Sequence, residues 1–278
     1  MRIFAILLFA LLWLDAGIVS IASIAPVTQM VDAIASERVE TITMVMPGDS
    51  PHTYEPKPSQ MKAVSKASLY FAVGVEFEKA WLPRFKAQNS SMRVVNLYEG
   101  IKRLHMKSHH EHDAEGGEDP HIWTAPRNMI VMAKKVAKAL EDIDPEGRKY
   151  YEKNLQKYIA QVEALEKRIS SILSSLPAGS SFLVFHPSWG YFADEFGLKQ
   201  VAMETEGKEP SAKELMSLIK RMKKSGARAI VVQPEFSDKS ARLLAKELSI
   251  PVVAVSPLAY DWQNSLLRVA RAIAGREN

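Results

Sequence analysis

The stretch GIVSIASIAPVTQMVDAIASERVETITMVM, residues 17–46, places two apolar segments on either side of a helical pattern. GIVSIAS (17–23) and VETITMVM (39–46) are short, apolar and contain several β-branched residues, as buried strands do. APVTQMVDAIAS between them has the pattern of an amphipathic helix. A strand, a helix and a second strand in succession form the unit from which parallel sheets are built. The stretch therefore predicts the start of a parallel α/β sheet.

The same alternation continues along the chain. In the first half, LYFAVG (69–74) and MRVVNLY (92–98) follow helical patterns. In the second half we predict four strands, each followed by a helical pattern: FLVFH (182–186), KQVAME (199–204), ARAIVVQ (227–233) and PVVAVS (251–256). One of those helices begins with Ser211 and Glu214, which form a capping box. We predict an α/β fold with two lobes, each a parallel sheet flanked by helices.

A long helical pattern separates the two lobes. It runs from Pro145 to Leu176, and Pro145 suits a first helical turn. Apolar residues recur along it every three or four positions, at Leu155, Tyr158, Val162, Leu165, Ile169, Ile172 and Leu176. At 1.5 Å per residue the helix would be roughly 48 Å long. We interpret it as one linking helix (145–176) between an N-terminal lobe (17–144) and a C-terminal lobe (177–278), with a coiled-coil dimer as the alternative.

The composition excludes several classes of function. The chain has 278 residues, a formal charge of +4 and no cysteine. Disulfides, thiolate metal sites and a catalytic cysteine are therefore excluded. The densest basic run, KRMKK (220–224), lies at the end of a helical pattern, which indicates a solvated helix face rather than a nucleic-acid site. We expect no nucleic-acid partner.

The first 16 residues, MRIFAILLFALLWLDA, predict export from the cytoplasm. Their apolar run from Ile3 to Leu14 is too short to span a bilayer easily. It has the length of a signal-peptide core, with Ala16 as the cleavage point. We therefore expect a signal peptide (1–16) and a protein at the periplasmic or extracellular face of the cell membrane. An uncleaved anchor or a buried strand is the alternative.

Three of the seven histidines stand beside a proline: His52 in PHTYEP, His121 in EDPHIW and His186 in FHPSW. Proline restricts its own backbone and that of the residue before it, which helps to hold a ligand in a fixed direction. His52 and His186 follow predicted strand ends, where parallel sheets bind ligands. Three imidazoles suit Zn²⁺ better than Mn²⁺. The alternative for each is a hydrogen-bonded, partly buried histidine.

The other four histidines share one polar tract. His105, His109, His110 and His112 lie in LHMKSHHEHDAEGG, within a predicted loop that spans 105–119. Short histidine-rich tracts are typical of metal binding, but a polar, glycine-containing loop holds its ligands loosely. We predict a weak, exchangeable metal-collecting loop. A solvated loop without function is the alternative.

Four motifs carry a resemblance to a known family. PGDSPHTYEPKPSQ, EDPHIWTAPRN, FHPSWGYFADEFGL and EGKEPS resemble the cluster A-I solute-binding proteins of ABC transporters, the zinc and manganese receptors. The resemblance covers nearly the whole chain after the signal peptide and implies that His52, His121 and His186 are metal ligands. The histidine-rich insertion resembles the zinc branch. Manganese relatives commonly have Glu at the third position, where this chain has His186.

The fourth ligand departs from the family pattern. Many relatives end their last strand with Asp-Pro-Leu and use that Asp as a ligand, whereas this chain has Ser256 in VSPLAYDW. A neutral hydroxyl is a poor substitute. We expect water to complete the site, with Glu235 or Asp261 as the alternatives.

The resemblance implies a monomeric, high-affinity zinc receptor that delivers the ion to a membrane permease driven by an ATPase. The ion would leave when small lobe movements separate His186 from His52 and His121. A manganese or iron receptor and a metal-dependent adhesin are alternatives of the same fold. A zinc hydrolase is the alternative of another class, with Glu76, Glu204 or Glu209 as base. The sequence has no HExxH or GxSxG motif to support it.

Overall fold

A computed structural model describes residues 17–106, 117–204, 210–234 and 239–276. The predicted signal peptide lies outside these ranges, as do three histidines of the predicted collecting loop. Glu209, proposed as an alternative base, and Glu235, proposed as an alternative ligand, also lie outside the described residues.

The N-terminal lobe contains a four-stranded parallel sheet. Its strands are β1 (Ile18–Ile24), β2 (Val39–Val45), β3 (Leu69–Ala72) and β4 (Arg93–Asn96), in the spatial order β2-β1-β3-β4. The helices around it are α1 (Ala25–Ala35), α2 (Pro58–Val64), α3 (Glu76–Gln88) and α4 (Pro126–Ile143). The predicted strand–helix–strand unit is β1-α1-β2, in which Ile18 pairs with Val39 and Ile24 with Val45. The parallel sheet expected from residues 17–46 is confirmed.

The C-terminal lobe repeats this architecture. Its parallel strands are β5 (Ser181–Val184), β6 (Lys199–Ala202), β7 (Ile230–Val232) and β8 (Val252–Ala254), in the order β6-β5-β7-β8. Its helices are α6 (Gly190–Glu195), α7 (Ala212–Ser225), α8 (Lys239–Leu248) and α9 (Trp262–Ile273). The predicted capping box starts α7, because Ser211 and Glu214 exchange side chain–backbone hydrogen bonds. The predicted α/β fold with two lobes is confirmed.

The linking helix, α5, is shorter than predicted. Pro145–Gly147 forms a 3₁₀ turn, and the α-helix runs only from Arg148 to Leu173. The Asp144 side chain accepts a hydrogen bond from Gly147 N at 3.1 Å, which favours the tighter turn at the start. The 26 residues of α5 correspond to about 39 Å.

The apolar face of α5 packs against both lobes. Its buried residues are Tyr151, Tyr158, Val162, Leu165, Ile169 and Leu173. They face α1 and α4 of the N-terminal lobe and α9, the last helix of the chain. One hydrophobic core consequently extends from the first sheet to the inner face of the second. A second, smaller core fills the space between the outer face of the C-terminal sheet and helices α7 and α8.

Hydrogen bonds also join the lobes. Trp123 Nε1 donates to the carbonyl of Pro257 at 2.8 Å, and Trp262 Nε1 donates to Gln29 Oε1 at 3.0 Å. Both indoles are buried, so their N–H groups need these partners. Along the described parts of the chain, every helix is too short or too polar to cross a membrane.

Candidate metal centre

The three proline-flanked histidines come together between the lobes. His52 lies in the loop after β2, His121 directly precedes the 3₁₀ turn Ile122–Thr124, and His186 follows the end of β5. The Nε2 atoms of His52 and His186 are 3.3 Å apart. The His186 ring centroid lies 5.0 Å from that of His52 and 5.2 Å from that of His121. His186 is therefore close to both histidines of the other lobe.

Each imidazole has a carboxylate at its Nδ1 atom. His52 Nδ1 lies 3.0 Å from Glu76 Oε2, His121 Nδ1 lies 2.7 Å from Asp119 Oδ1, and His186 Nδ1 lies 2.7 Å from Glu204 Oε1. An ionised carboxylate only accepts hydrogen bonds, so Nδ1 carries the proton and donates it. The lone pair of each neutral imidazole is then on Nε2. A carboxylate at the far nitrogen is the usual way in which proteins orient a histidine that binds a metal.

The three pairs differ in exposure. The side chains of His121 and Asp119 are 6% and 3% exposed, and those of His186 and Glu204 are 11% and 7% exposed. The side chains of His52 and Glu76 are 34% and 64% exposed. Two pairs thus form the buried base of the site, while the His52 pair forms its rim.

Asp119 is held from both lobes. Its Oδ1 also accepts a hydrogen bond from the backbone N–H of His121 at 2.9 Å. This is an Asx-turn, in which an Asp side chain accepts from the backbone N–H two residues later. Its carbonyl accepts from the hydroxyl of Tyr191, 3.1 Å away in α6. A Cβ atom at Gly190 would lie only 2.4 Å from Asp119 Oδ2. Only glycine at position 190 leaves room for this carboxylate.

His186 is held by Gln233, the residue that follows β7 in its own lobe. Its backbone N–H donates to Gln233 Oε1 at 3.4 Å, and Gln233 Nε2 donates to Ser188 Oγ at 2.7 Å. Glu204 Oε2 is buried and has no hydrogen-bond partner among the described residues. The carboxylate is therefore oriented mainly through its contact with His186.

Glu78 stiffens the loop that precedes Glu76 and helix α3. Its carboxylate accepts from the backbone N–H groups of Val73 and Gly74 at 2.9 and 2.8 Å, where Gly74 has a φ of +89°. Burial raises the pKa of Glu78 to about 7, although the hydrogen bonds from Ser23 and these two N–H groups act in the opposite direction. Glu76, at the start of the same helix, is exposed at the site.

A pocket surrounds the histidines and draws its wall from both lobes. The N-terminal lobe contributes Asp49, Ser50, Pro51, His52, His121 and Trp123, and the C-terminal lobe contributes His186, Ser188, Gln233, Pro257 and Leu258. Asp49 is the one carboxylate among these lining residues. Sequence reasoning missed it, because it lies in a turn with no regular spacing to the histidines.

Asp261, one alternative for the fourth ligand, has another role. Its Oδ1 accepts from Asn264 N at 3.2 Å and caps α9, and the residue is exposed and does not line the pocket. Ser256 Oγ accepts from Leu258 N at 3.1 Å. His105 is exposed and pairs with Glu118 in an isolated bridge, apart from the pocket. Of the three glutamates considered as alternative bases, Glu76 and Glu204 are instead partners of His52 and His186.

The imidazoles are near one another without forming a finished coordination sphere. Within the described ranges, no group of three or more His, Asp or Glu side chains already has a geometry that holds a metal ion. The Nε2 atoms of His52 and His186 are 3.3 Å apart, whereas the ring centroid of His121 lies 5.2 Å from that of His186.

Comparison with known proteins finds close similarity along most of the chain. The family model of "Zinc-uptake complex component A periplasmic" (ZnuA) matches residues 21–274. A crystal structure of ZnuA is 37% identical, superposes with a TM-score of 0.85, and the match covers 94% of this chain and 100% of that one. A zinc-bound ZnuA variant lacking residues 138–173 of its own chain is 38% identical, with a TM-score of 0.84 and coverage of 93% and 97%. The manganese ABC transporter substrate-binding lipoprotein PsaA of Streptococcus mitis is 27% identical over 235 residues, which is 80% of this chain and 74% of PsaA.

Proposed function

The chain belongs to the ZnuA family of metal-binding ABC transporter substrate-binding proteins, and we propose that it binds Zn²⁺ between its lobes through His52, His121 and His186. The family consists of receptors rather than enzymes. The ion is the cargo, and coordination is the whole of the chemistry.

The observation that carries this proposal is the carboxylate at the Nδ1 atom of all three histidines. This arrangement makes Nε2 the ligand atom in each case. Two nitrogens bound to one tetrahedral Zn²⁺ at about 2.0–2.1 Å are about 3.3–3.4 Å apart. The His52 and His186 Nε2 atoms, at 3.3 Å, already have that separation. A rotation of the His121 ring and a small approach of the lobes would complete the set.

The donor types favour zinc. Three neutral imidazoles are intermediate in softness and suit Zn²⁺, whereas Mn²⁺ prefers sites rich in carboxylates. The most similar solved structures include a zinc-bound ZnuA. We propose water as the fourth ligand, as expected from the replacement of the usual aspartate by Ser256.

A manganese receptor is the second candidate, and two observations favour it. Relatives such as PsaA are named manganese receptors. Asp49 lines the pocket and is the carboxylate that could supply an oxygen ligand to a harder ion.

Partners and location follow from the proposed receptor function. The ion would pass to a membrane permease with its ATPase, outside the cytoplasm, and residues 1–16 would direct export. We propose the N-terminal lobe (17–144), the linking segment (145–176) and the C-terminal lobe (177–278) as the units that move during release. His105, His109, His110 and His112 would collect metal weakly beside the tight site.

Calorimetric titration of the chelator-stripped protein with Zn²⁺ and with Mn²⁺ tests the proposal. The variant in which His52, His121 and His186 are changed to Ala should lose the tight zinc site, with a loss above the roughly 100-fold that changes to supporting residues alone produce. The matched control changes His105, His109, His110 and His112 to Ala and should keep it. Tight zinc binding by the first variant would overturn the ligand assignment. Tighter binding of Mn²⁺ than of Zn²⁺ by the parent would favour the second candidate.

A further inference from the structure

Helices α7 and α8 have a larger net positive charge than the chain as a whole. Together they contain eight Lys and Arg residues and two Glu, which is a net charge of +6. The whole chain has a formal charge of only +4. The remaining residues therefore have a net charge of −2, so the excess of positive over negative charge comes from these two helices of the C-terminal lobe.

Exposed apolar side chains lie among these charges. Met216 in α7 is 72% exposed and Leu243 in α8 is 50% exposed. On α7, Lys213 and Lys220 lie three residues before and four residues after Met216, so they flank it on the same helix face. On α8, Lys246 lies three residues after Leu243 on the same face. We call the exposed residues Lys213, Met216, Lys220, Leu243 and Lys246 the basic–apolar face.

The basic–apolar face is an outer surface of the molecule. The opposite sides of α7 and α8 bury Leu218, Met222, Ala241 and Leu244 against the outer side of the C-terminal sheet. A shallow apolar groove lies between the two helices, lined by Ala212, Leu215, Met216, Ile219, Leu243 and Glu247. Among the described residues, Lys213, Lys220 and Lys246 have no ion-pair partner, whereas Lys223 lies 4.0 Å from Glu247. The three lysines are not neutralised from within the described structure.

We propose that this face docks the protein on the surface of an anionic lipid bilayer. Helices with a basic polar face and a few apolar side chains bind in the interface of such membranes. The lysines would lie among the anionic headgroups, and Met216 and Leu243 would enter the region just below them. The positive charge is spread over two helices and exposed to solvent, which suits a continuous charged surface better than the local acidic groups of one polypeptide. The proposal goes beyond metal binding and does not depend on which metal is bound.

Vesicle co-sedimentation tests the proposal. The full chain is mixed with vesicles of phosphatidylcholine alone and with vesicles that contain phosphatidylglycerol, at low and at high salt. The measured quantity is the difference between the two vesicle types, because an apolar leader would bind to both. We expect stronger binding to the anionic vesicles, and we expect salt to abolish the difference.

The test variant carries Lys213→Glu, Lys220→Glu and Lys246→Glu. Each lysine near an anionic surface contributes roughly fivefold to binding, so the preference should fall by about 100-fold or more. The matched control carries Lys149→Glu, Lys153→Glu and Lys157→Glu on the exposed side of α5, with the same change of charge. It should keep most of the preference. A third variant, Met216→Ser with Leu243→Ser, should weaken binding to anionic vesicles and keep its salt dependence.

Two results would overturn the proposal. The first is equal binding of the parent to both vesicle types. The basic–apolar face would then suit an acidic polypeptide rather than a membrane. The second is an equal loss in the test variant and in the α5 control, which would indicate a general effect of charge. Zinc titration of the same variants is the control for correct folding, since each variant should bind zinc as the parent does. A loss of vesicle binding with zinc binding unchanged therefore concerns the membrane proposal alone, and not the proposed receptor function.

Discussion

The buried base and the exposed rim of the site use the same chemistry in different surroundings. At the base, His121–Asp119 and His186–Glu204 lie in pairs whose side chains are at most 11% exposed. At the rim, His52 pairs with Glu76, whose side chain is 64% exposed. A buried carboxylate has no competing water and holds its imidazole firmly, whereas an exposed one exchanges its partner with solvent. We therefore propose that the base sets the affinity and that the ion enters and leaves on the side of the rim.

The largest effect is expected at the base. Asp119→Ala removes the group that orients His121 and should weaken zinc binding by about 10- to 100-fold. Asp119→Asn keeps an oxygen that accepts the two hydrogen bonds of His121 and should cost less. Calorimetry of both variants measures the effect. A wild-type affinity in Asp119→Ala would contradict the view that the base sets the affinity.

Gly190→Ala tests the same pair from the opposite lobe. The added Cβ would lie 2.4 Å from Asp119 Oδ2, so the carboxylate must move and turn His121 with it. We expect a loss of roughly tenfold in zinc affinity, close to the lower limit for a disturbed supporting group. Gly117→Ala is the control, because a Cβ atom there meets no described residue within 4 Å. An equal effect of the two substitutions would show that Gly190 has no special role.

Helix α3 carries one buried carboxylate, Glu78, and one exposed carboxylate, Glu76. Burial raises the pKa of Glu78 to about 7 from a usual value of 4.5, so the folded state binds this proton more tightly than the unfolded state. The stability that this proton provides is complete below about pH 4.5 and is lost as the pH rises through about 7. The slope is at most about 1.4 kcal/mol per pH unit.

Chemical denaturation of the metal-free protein between about pH 5 and 7 measures this slope. Glu78→Gln should flatten the dependence of the unfolding free energy on pH, since it removes the titrating group. A parent protein whose stability rises with pH in this window because of Glu78 would contradict the assignment.

The smallest effect is expected at the rim. Glu76→Gln replaces an exposed charged partner of His52 with a neutral amide, and we expect less than a fivefold loss of zinc affinity, in line with exposed ion pairs. The dissociation rate, measured by transfer of zinc to a chelator, should increase by a similar factor. A loss as large as that of Asp119→Ala would remove the distinction between base and rim.

The sheets and helices could be predicted from the sequence better than the carboxylates that contact the three histidines. The apolar strands and amphipathic helices alternate clearly, so both parallel sheets were predicted with errors of a few residues at their ends. The linking helix was predicted too long, because a proline is compatible with either a 3₁₀ turn or an α-helix, and the choice depends on the Asp144 side chain.

The partners of the histidines could not be assigned from spacing. Glu76 lies 24 residues after His52, and Glu204 lies 18 residues after His186. Such pairs form only when the loops fold over the ends of the strands. Asp119 had a usable signal, since an Asp two residues before a histidine commonly accepts its backbone N–H. The requirement for glycine at position 190 depends on contact between the lobes, which no local pattern contains.

Zinc K-edge X-ray absorption on the protein loaded with one equivalent of Zn²⁺ counts the imidazoles bound to the ion. The sample carries Ala in place of His105, His109, His110 and His112, so that the loop does not contribute. We expect three imidazoles at about 2.0–2.1 Å and one further light ligand in a four-coordinate site. A coordination sphere with one imidazole or none, made mainly of oxygen, would contradict it.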